Sequence, residues 1–257
     1  MDQYAVRFSG NDISQVSGVD LYNHDFNKLP QREIKINKIA RRDLSIITSA
    51  EYSQKEITVN MDVCSGSRAD TEATLTLLKS LLQPQNAALV ASQGGVDVEY
   101  SEATMQELSI EWLGATAIVT IIFIASDPIG KQSELETLVT LSAMTVASTS
   151  ENITVGGSAM AYPLITVTVT AVTGGTGGSI IVTNGRTLQG ITVTGDWTAG
   201  DILEINSQLL TVTVNGSIVD FDGMFPQFPA GTQQITYLDT FTTRTVTLNA
   251  VYQPRFV

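Results

Sequence analysis

From Leu164 to Tyr252 the chain keeps a period of two. Ile165, Val167 and Val169 alternate with threonines, and the pattern returns in SIIV, GITVTG, DILEIN, QLLTVTV, QQITYL and RTVTLNAVY. Successive side chains of a strand point to opposite faces, so this alternation makes half-buried strands and leaves no room for a long helix. Seven or eight strands in roughly a hundred residues is the density of a β-sandwich or jelly roll. Asn215-Gly216 joins two of them with the positive-φ pair that a type I′ hairpin demands. GGTGG at 174–178 lies between strands with no helix behind it to hold a pyrophosphate, and reads as a flexible hairpin.

The first half is different. Eleven of the fourteen basic residues fall at or before Lys131, and Thr, Val and Gly become dense from about Asn152. This shift predicts two domains, 1–150 and 151–257, with 129–160 as a connector containing short strands. In KEITVNMDV, Ile57, Val59, Met61 and Val63 share one face of a strand. A helix follows from Asp70 to Leu82, with Leu75, Leu78, Leu81 and Leu82 at helical spacing, Asp70 as cap and Pro84 as stop. Two strands then flank Gly114, and the second, Ala117 to Ala125, is apolar on both faces. Such a strand needs cover on each side, from its own chain or from a neighbouring subunit.

Chemistry is hard to find. A net charge of -12 repels phosphate-coated partners, which excludes specific nucleic-acid binding through charge. The longest apolar run, Ala115 to Ala125, is too short to span a bilayer, so no membrane insertion is expected. Cys64 is the single cysteine, no basic-then-apolar leader opens the chain, and synthesis in a cytoplasm is expected. His24, the one histidine, reads as a turn or surface residue, and no G-x-S-x-G elbow occurs. SDPIGKQS lacks the glycine that a phosphate loop needs. The pairs Asp196/Asp201 and Asp220/Asp222 sit at turns, where Asp bonds its own backbone. No catalytic residue, metal or cofactor is expected.

Three features could instead meet partners. Trp197 could stack a sugar, or pack against the rim of the sandwich. Phe225 and Phe228, crowded with Met224 into the loop after Asn215-Gly216, could touch a partner or their own domain. The basic cluster Lys28, Arg32, Lys35, Lys38, Arg41 and Arg42 could be a solvated hairpin, or could steer this chain onto an acidic patch of the next copy.

The order of these parts resembles the distal tail proteins of long-tailed (siphovirus) bacteriophages. The resemblance is carried by the hairpin region from Val19 to Ile47, KEITVNMDV, the helix from Asp70, IIFIASDP, GGSAMAYPLITV, VNGSIVDFDGMFPQFPAGTQQI and the closing YQPRF. It implies a mainly β protein: an N-terminal tail-tube-like β-sandwich with one flanking α-helix, then a C-terminal galectin-like β-sandwich. It further implies a homohexameric ring at the tail tip of the virion, without catalysis. The partners it implies are the tail tube protein, a baseplate hub or tail-associated tip protein, and a receptor-binding protein. A tail tube protein with an added outer domain and a carbohydrate-binding adhesin are the alternatives. The sugar-binding histidine of true galectins has no counterpart here, because no histidine occurs in the second half.

Overall fold

The computed structural model describes residues 4–25, 29–30, 32–38, 45–93 and 96–257. Their contacts divide the chain into two compact units, Met1–Ser133 with Phe256–Val257, and Glu134–Arg255. The division follows closely on Lys131, where the basic residues of the first half end.

The first unit contains β1 (Ala5–Phe8), β2 (Asn11–Asp12), β3 (Val19–His24), β4 (Arg32–Lys38), β5 (Ser45–Tyr52), β6 (Lys55–Val63), α1 (Arg68–Leu81), β7 (Ala87–Gln93), β8 (Val96–Leu113), β9 (Thr116–Ala125) and β10 (Gly130–Gln132). One sheet runs β2-β1-β7-β8-β9-β6-β3, with β10 paired to β8, while among the described residues β4 and β5 pair only with each other. Ile57, Val59, Met61 and Val63 are buried together, as the alternation predicts, opposite the buried row Ala117, Val119, Ile121 and Phe123 of β9. Burial of side chains this size contributes about 1.5–3 kcal/mol each.

The helix begins two residues before Asp70, because Ser67 is the N-cap: its hydroxyl accepts from the Asp70 N–H and donates to the Asp70 carboxylate. Thr71, Leu75 and Leu78 form its buried stripe, joined by Leu82 just beyond the end. Thr71 also donates to the Ala115 carbonyl, which ties the helix to the turn before β9.

The second unit is a sandwich of β11 (Glu136–Met144), β12 (Ser148–Val155), β13 (Leu164–Thr173), β14 (Gly178–Asn184), β15 (Gly190–Gly195), β16 (Ile202–Asn206), β17 (Thr211–Val214), β18 (Ser217–Ile218), β19 (Asp222–Gly223), β20 (Gly231–Asp239) and β21 (Thr243–Tyr252). Its six-stranded sheet runs β11-β21-β13-β16-β17-β18 and its five-stranded sheet β12-β20-β14-β15-β19. The period-two residues fill one core between the sheets.

Two expectations are corrected. Most of the stretch 129–160 is not a connector: β11 and β12 are edge strands of the two sheets. Nor is GGTGG a loose hairpin. The Gly175 carbonyl accepts from the N–H groups of Trp197 and Gly178, and a Cβ on Gly175 would lie 2.2 Å from the Trp197 carbonyl oxygen. The chain crosses there from one sheet to the other. Asn215 and Gly216 take φ of 51° and 77°, as a type I′ turn requires.

Candidate functional site

The strand β8 does two jobs. Its first part, up to Ala103, lies between β7 and β10, whereas β9 accompanies it from Ala103 to Leu113. A register shift between Met105 and Glu107 makes Gln106 an extra residue. The bulge exchanges the rows, so that Leu108, Ile110 and Trp112 pack on the core while Glu107, Ser109 and Glu111 take the other face. Among the described residues no strand pairs with β8 on its side away from β9 beyond Ala103, and none pairs with the outer side of β3. The second half of β8, β9, β6 and β3 therefore form a four-stranded run with both edges open.

The face of this run away from the core is acidic. Following the pairings, Asp20 on β3 and Asp62 on β6 lie beside Ile118, Glu56 beside Ile124, and Glu107 and Glu111 beside Ile122 and Ile118. Thr120 donates to Asn60 at 2.9 Å between them. Five carboxylates and no cation occupy these positions. On β9 itself only the core row is fully buried; Ile118, Ile122 and Ile124 are half-buried. Within the described chain this strand has full cover on one side.

The unit also holds buried titratable groups. Lys55, 1% exposed, donates from Nζ to the Tyr100 hydroxyl at 2.8 Å, with the ring centroid 5.1 Å away. Burial lowers its pKa to about 8, against a smaller opposing pull from the Asp25 carboxylate. Burial pushes the Tyr100 phenol up. His24 is not at the surface: it ends β3 on the buried row, its ring meets that of Tyr4 edge-on at 4.8 Å, and burial lowers its pKa. Among the described residues no group of three or more His, Cys, Asp or Glu is placed to hold a metal ion.

Arg32, Lys35 and Lys38 lie on β4, opposite Tyr52, Ser49 and Ser45 of β5. Lys28, Arg41 and Arg42 fall outside the described residues. Trp197 is 5% exposed, packs against Phe241 and donates from Nε1 to the Gly178 carbonyl at 3.0 Å. Trp197 thus packs as a buried indole with its donor satisfied. Trp197→Phe, which drops the donor and replaces the indole with a smaller ring, is expected to cost the second unit at least about 1–2 kcal/mol in thermal unfolding. An unchanged melting temperature would show that the indole donor contributes nothing.

The strap from Val219 to Ala230 divides its phenylalanines. Phe228 is fully buried and its backbone exchanges hydrogen bonds with Ala161 at 2.9 and 3.0 Å. Phe225 is half-buried, 5.1 Å from the ring of the exposed Phe221. Asn184, also fully buried, donates to the Gln227 carbonyl and fixes the strap from below. Phe228 is a core residue and cannot reach a partner.

Residues 156–256 match the family model described as siphovirus-type tail component, C-terminal domain. The fold resembles the crystal structure of the Dit protein of phage SPP1, described as a paradigm of the hub adsorption apparatus in phages that infect Gram-positive bacteria. The likeness has a TM-score of 0.65 at 15% identity and covers 99% of this chain and 100% of that one. Chains of the phage p2 baseplate in its activated conformation, with Sr and with Ca, align at TM-scores of 0.41 and 0.42 and 10% identity. The alignments cover 98% and 99% of this chain and 98% of each of those, and they are too distant to support an argument. Comparison with curated proteins finds no match.

Proposed function

We propose that this chain, whose residues 156–256 match the siphovirus-type tail component model, is a distal tail protein whose copies close into a homohexameric ring. The single observation that carries the ring is the four-stranded run with two open edges. A heterologous contact joins the β3 edge of one copy to the β8 edge of the next, and repetition around an axis leaves no edge unpaired. Such a ring has one sheet face inward, and α1 fills the other. The inward face then carries Asp20, Glu56, Asp62, Glu107 and Glu111, a lining that repels passing DNA and leaves it free to slide.

The ring sits at the tail tip of the virion, assembled in the host cytoplasm, between the tail tube protein and a baseplate hub or tail-associated tip protein. A receptor-binding protein is a further partner. Among the described residues the hairpin of β4 and β5 pairs with no other strand, and a lone two-stranded hairpin is marginal in water. Arg32, Lys35 and Lys38 on it, with Lys28, Arg41 and Arg42 near it in sequence, give it a neighbouring acidic copy as cover. The role is structural, with no turnover of a substrate.

Maleimide cross-linking of Asn23→Cys/Ser109→Cys in a Cys64→Ser background tests the edges. The expected product is a ladder that stops at the hexamer. A ladder without an end would indicate a tail tube protein, and absence of any ladder at high concentration would overturn the ring.

A further inference from the structure

The five-stranded sheet of the second unit has β12 as one edge. Edge strands present unpaired backbone groups, and proteins blunt them by shortness, bulges or charge. In this unit β18 and β19 have two residues each, and β11 is broken by register shifts at Thr137/Val139 and Leu141/Met144. By contrast, the eight residues of β12 run against β20 from Ser148–Leu238 to Val155–Gly231 without a shift, and include no Pro, Lys or Arg.

The phase of its hydrogen bonds follows from where it begins. The Asp239 N–H donates to the Ala147 carbonyl at 2.9 Å, and bonded and non-bonded pairs alternate along an antiparallel ladder. Thr149, Glu151, Ile153 and Val155 therefore bond to β20. The N–H and C=O groups of Ser148, Ser150, Asn152 and Thr154 point to the open edge. The far side of β20 agrees, since Thr240 N–H donates to Ser179 and Gly185 N–H to Gln234, which leaves the even-numbered residues of β20 for β14. Among the described residues nothing else bonds these outward groups.

One charge interrupts the strand. Glu151 is exposed, lies on the same row as the buried Ile153 and Val155, and has no ion pair among the described residues. We propose that β12 is an augmentation site that receives an extended strand from a different chain carrying Lys or Arg opposite Glu151. A second copy is the wrong occupant. Full overlap of two β12 strands, Ser148 on Thr154 and Ser150 on Asn152, sets Glu151 directly against Glu151, and like charges so placed are destabilising. The site lies on the second unit and does not depend on the ring edges of the first.

The test is amide-resolved hydrogen exchange on the full chain with a short capped peptide of alternating threonine and valine. The peptide bears lysine at its central position, and its control has glutamate there. The lysine peptide is expected to slow exchange at Ser148, Ser150, Asn152 and Thr154 by about tenfold or more while Thr149 and Ile153 stay as they were. Ser150→Pro removes an outward donor at an edge position that tolerates proline, so it should abolish the effect without moving the melting temperature. Glu151→Lys should reverse the preference toward the glutamate peptide. Protection that is absent, spread evenly along the strand, or indifferent to the sign of the peptide charge would overturn the proposal.

Discussion

Phe228→Ala is expected to lower the stability of the second unit by about 3–5 kcal/mol and to leave the transition of the first unit in place. The side chain is fully buried, and the paired backbone at Ala161 holds the strap where it is, so the site cannot collapse into the space that truncation leaves. Phe225→Ala, at a half-buried position against Phe221, is expected to cost about 1 kcal/mol. Calorimetry that resolves the two transitions reads both. A Phe228→Ala protein whose second unit melts normally, yet whose copies fail to join a tail, would mean that the strap serves a partner and not its own core.

The second large effect is a stability that climbs with pH. Lys55 has a folded pKa of about 8 against an unfolded value of 10.5. Between those values the unfolded chain holds the proton and the folded chain does not. Folding of the first unit is therefore favoured progressively as pH rises through that window, by up to about 3 kcal/mol. Tyr100 works the other way from about pH 10: its phenol is raised in the fold, so the stability it contributes is lost as pH rises past the point where the unfolded phenol ionises. The expected profile of the first unit rises from pH 8 to about 10 and then turns down. In Lys55→Met the rise disappears. An equal rise in that variant would mean that Lys55 is charged or uncharged alike in both states.

Wherever one face of a strand is buried along its length, the architecture could be read from the residues. Alternation marked β6 and the long strands of the sandwich, because each buries one row completely, whereas an apolar run on both faces marked β9. The same logic contained more than it was asked to give: Lys55 has the parity of Ile57, Val59 and Met61, so the phase of the strand already puts its ammonium inside. His24, paired with Val59, lies on that row too, but only the pairing reveals it. By contrast, β11 and β12 lie at sheet edges and bury only Leu138, Met144, Ile153 and Val155, so their sequences look like polar linker. Ser67 outranks Asp70 as cap because what decides is which oxygen reaches the free N–H of the first turn.

The resemblance to distal tail proteins is supported by the tail-component match and the shared fold. The open edges could not have been read in advance. An edge is defined by the strand that is missing beside it, and no property of Val19–His24 or of the second half of β8 states which neighbours the fold will supply. The loop aromatics illustrate the converse. The residues alone leave an outward-facing Trp197 or Phe228 open as an alternative, and only packing distinguishes a buried anchor from a contact.

The extra residue in β8 gives that strand something like a reading frame. Loss of one residue at the bulge leaves both rows in phase, because Met105 and Glu107 already sit opposite the consecutive residues Phe123 and Ile122 and Gln106 can take the place of either. A single deletion from Leu108 onward turns over the residues between it and the bulge, or those beyond it, and brings a glutamate into the oil. Length changes accumulated by lineages of this protein should therefore spare the span, or fall at the bulge from Met105 to Glu107.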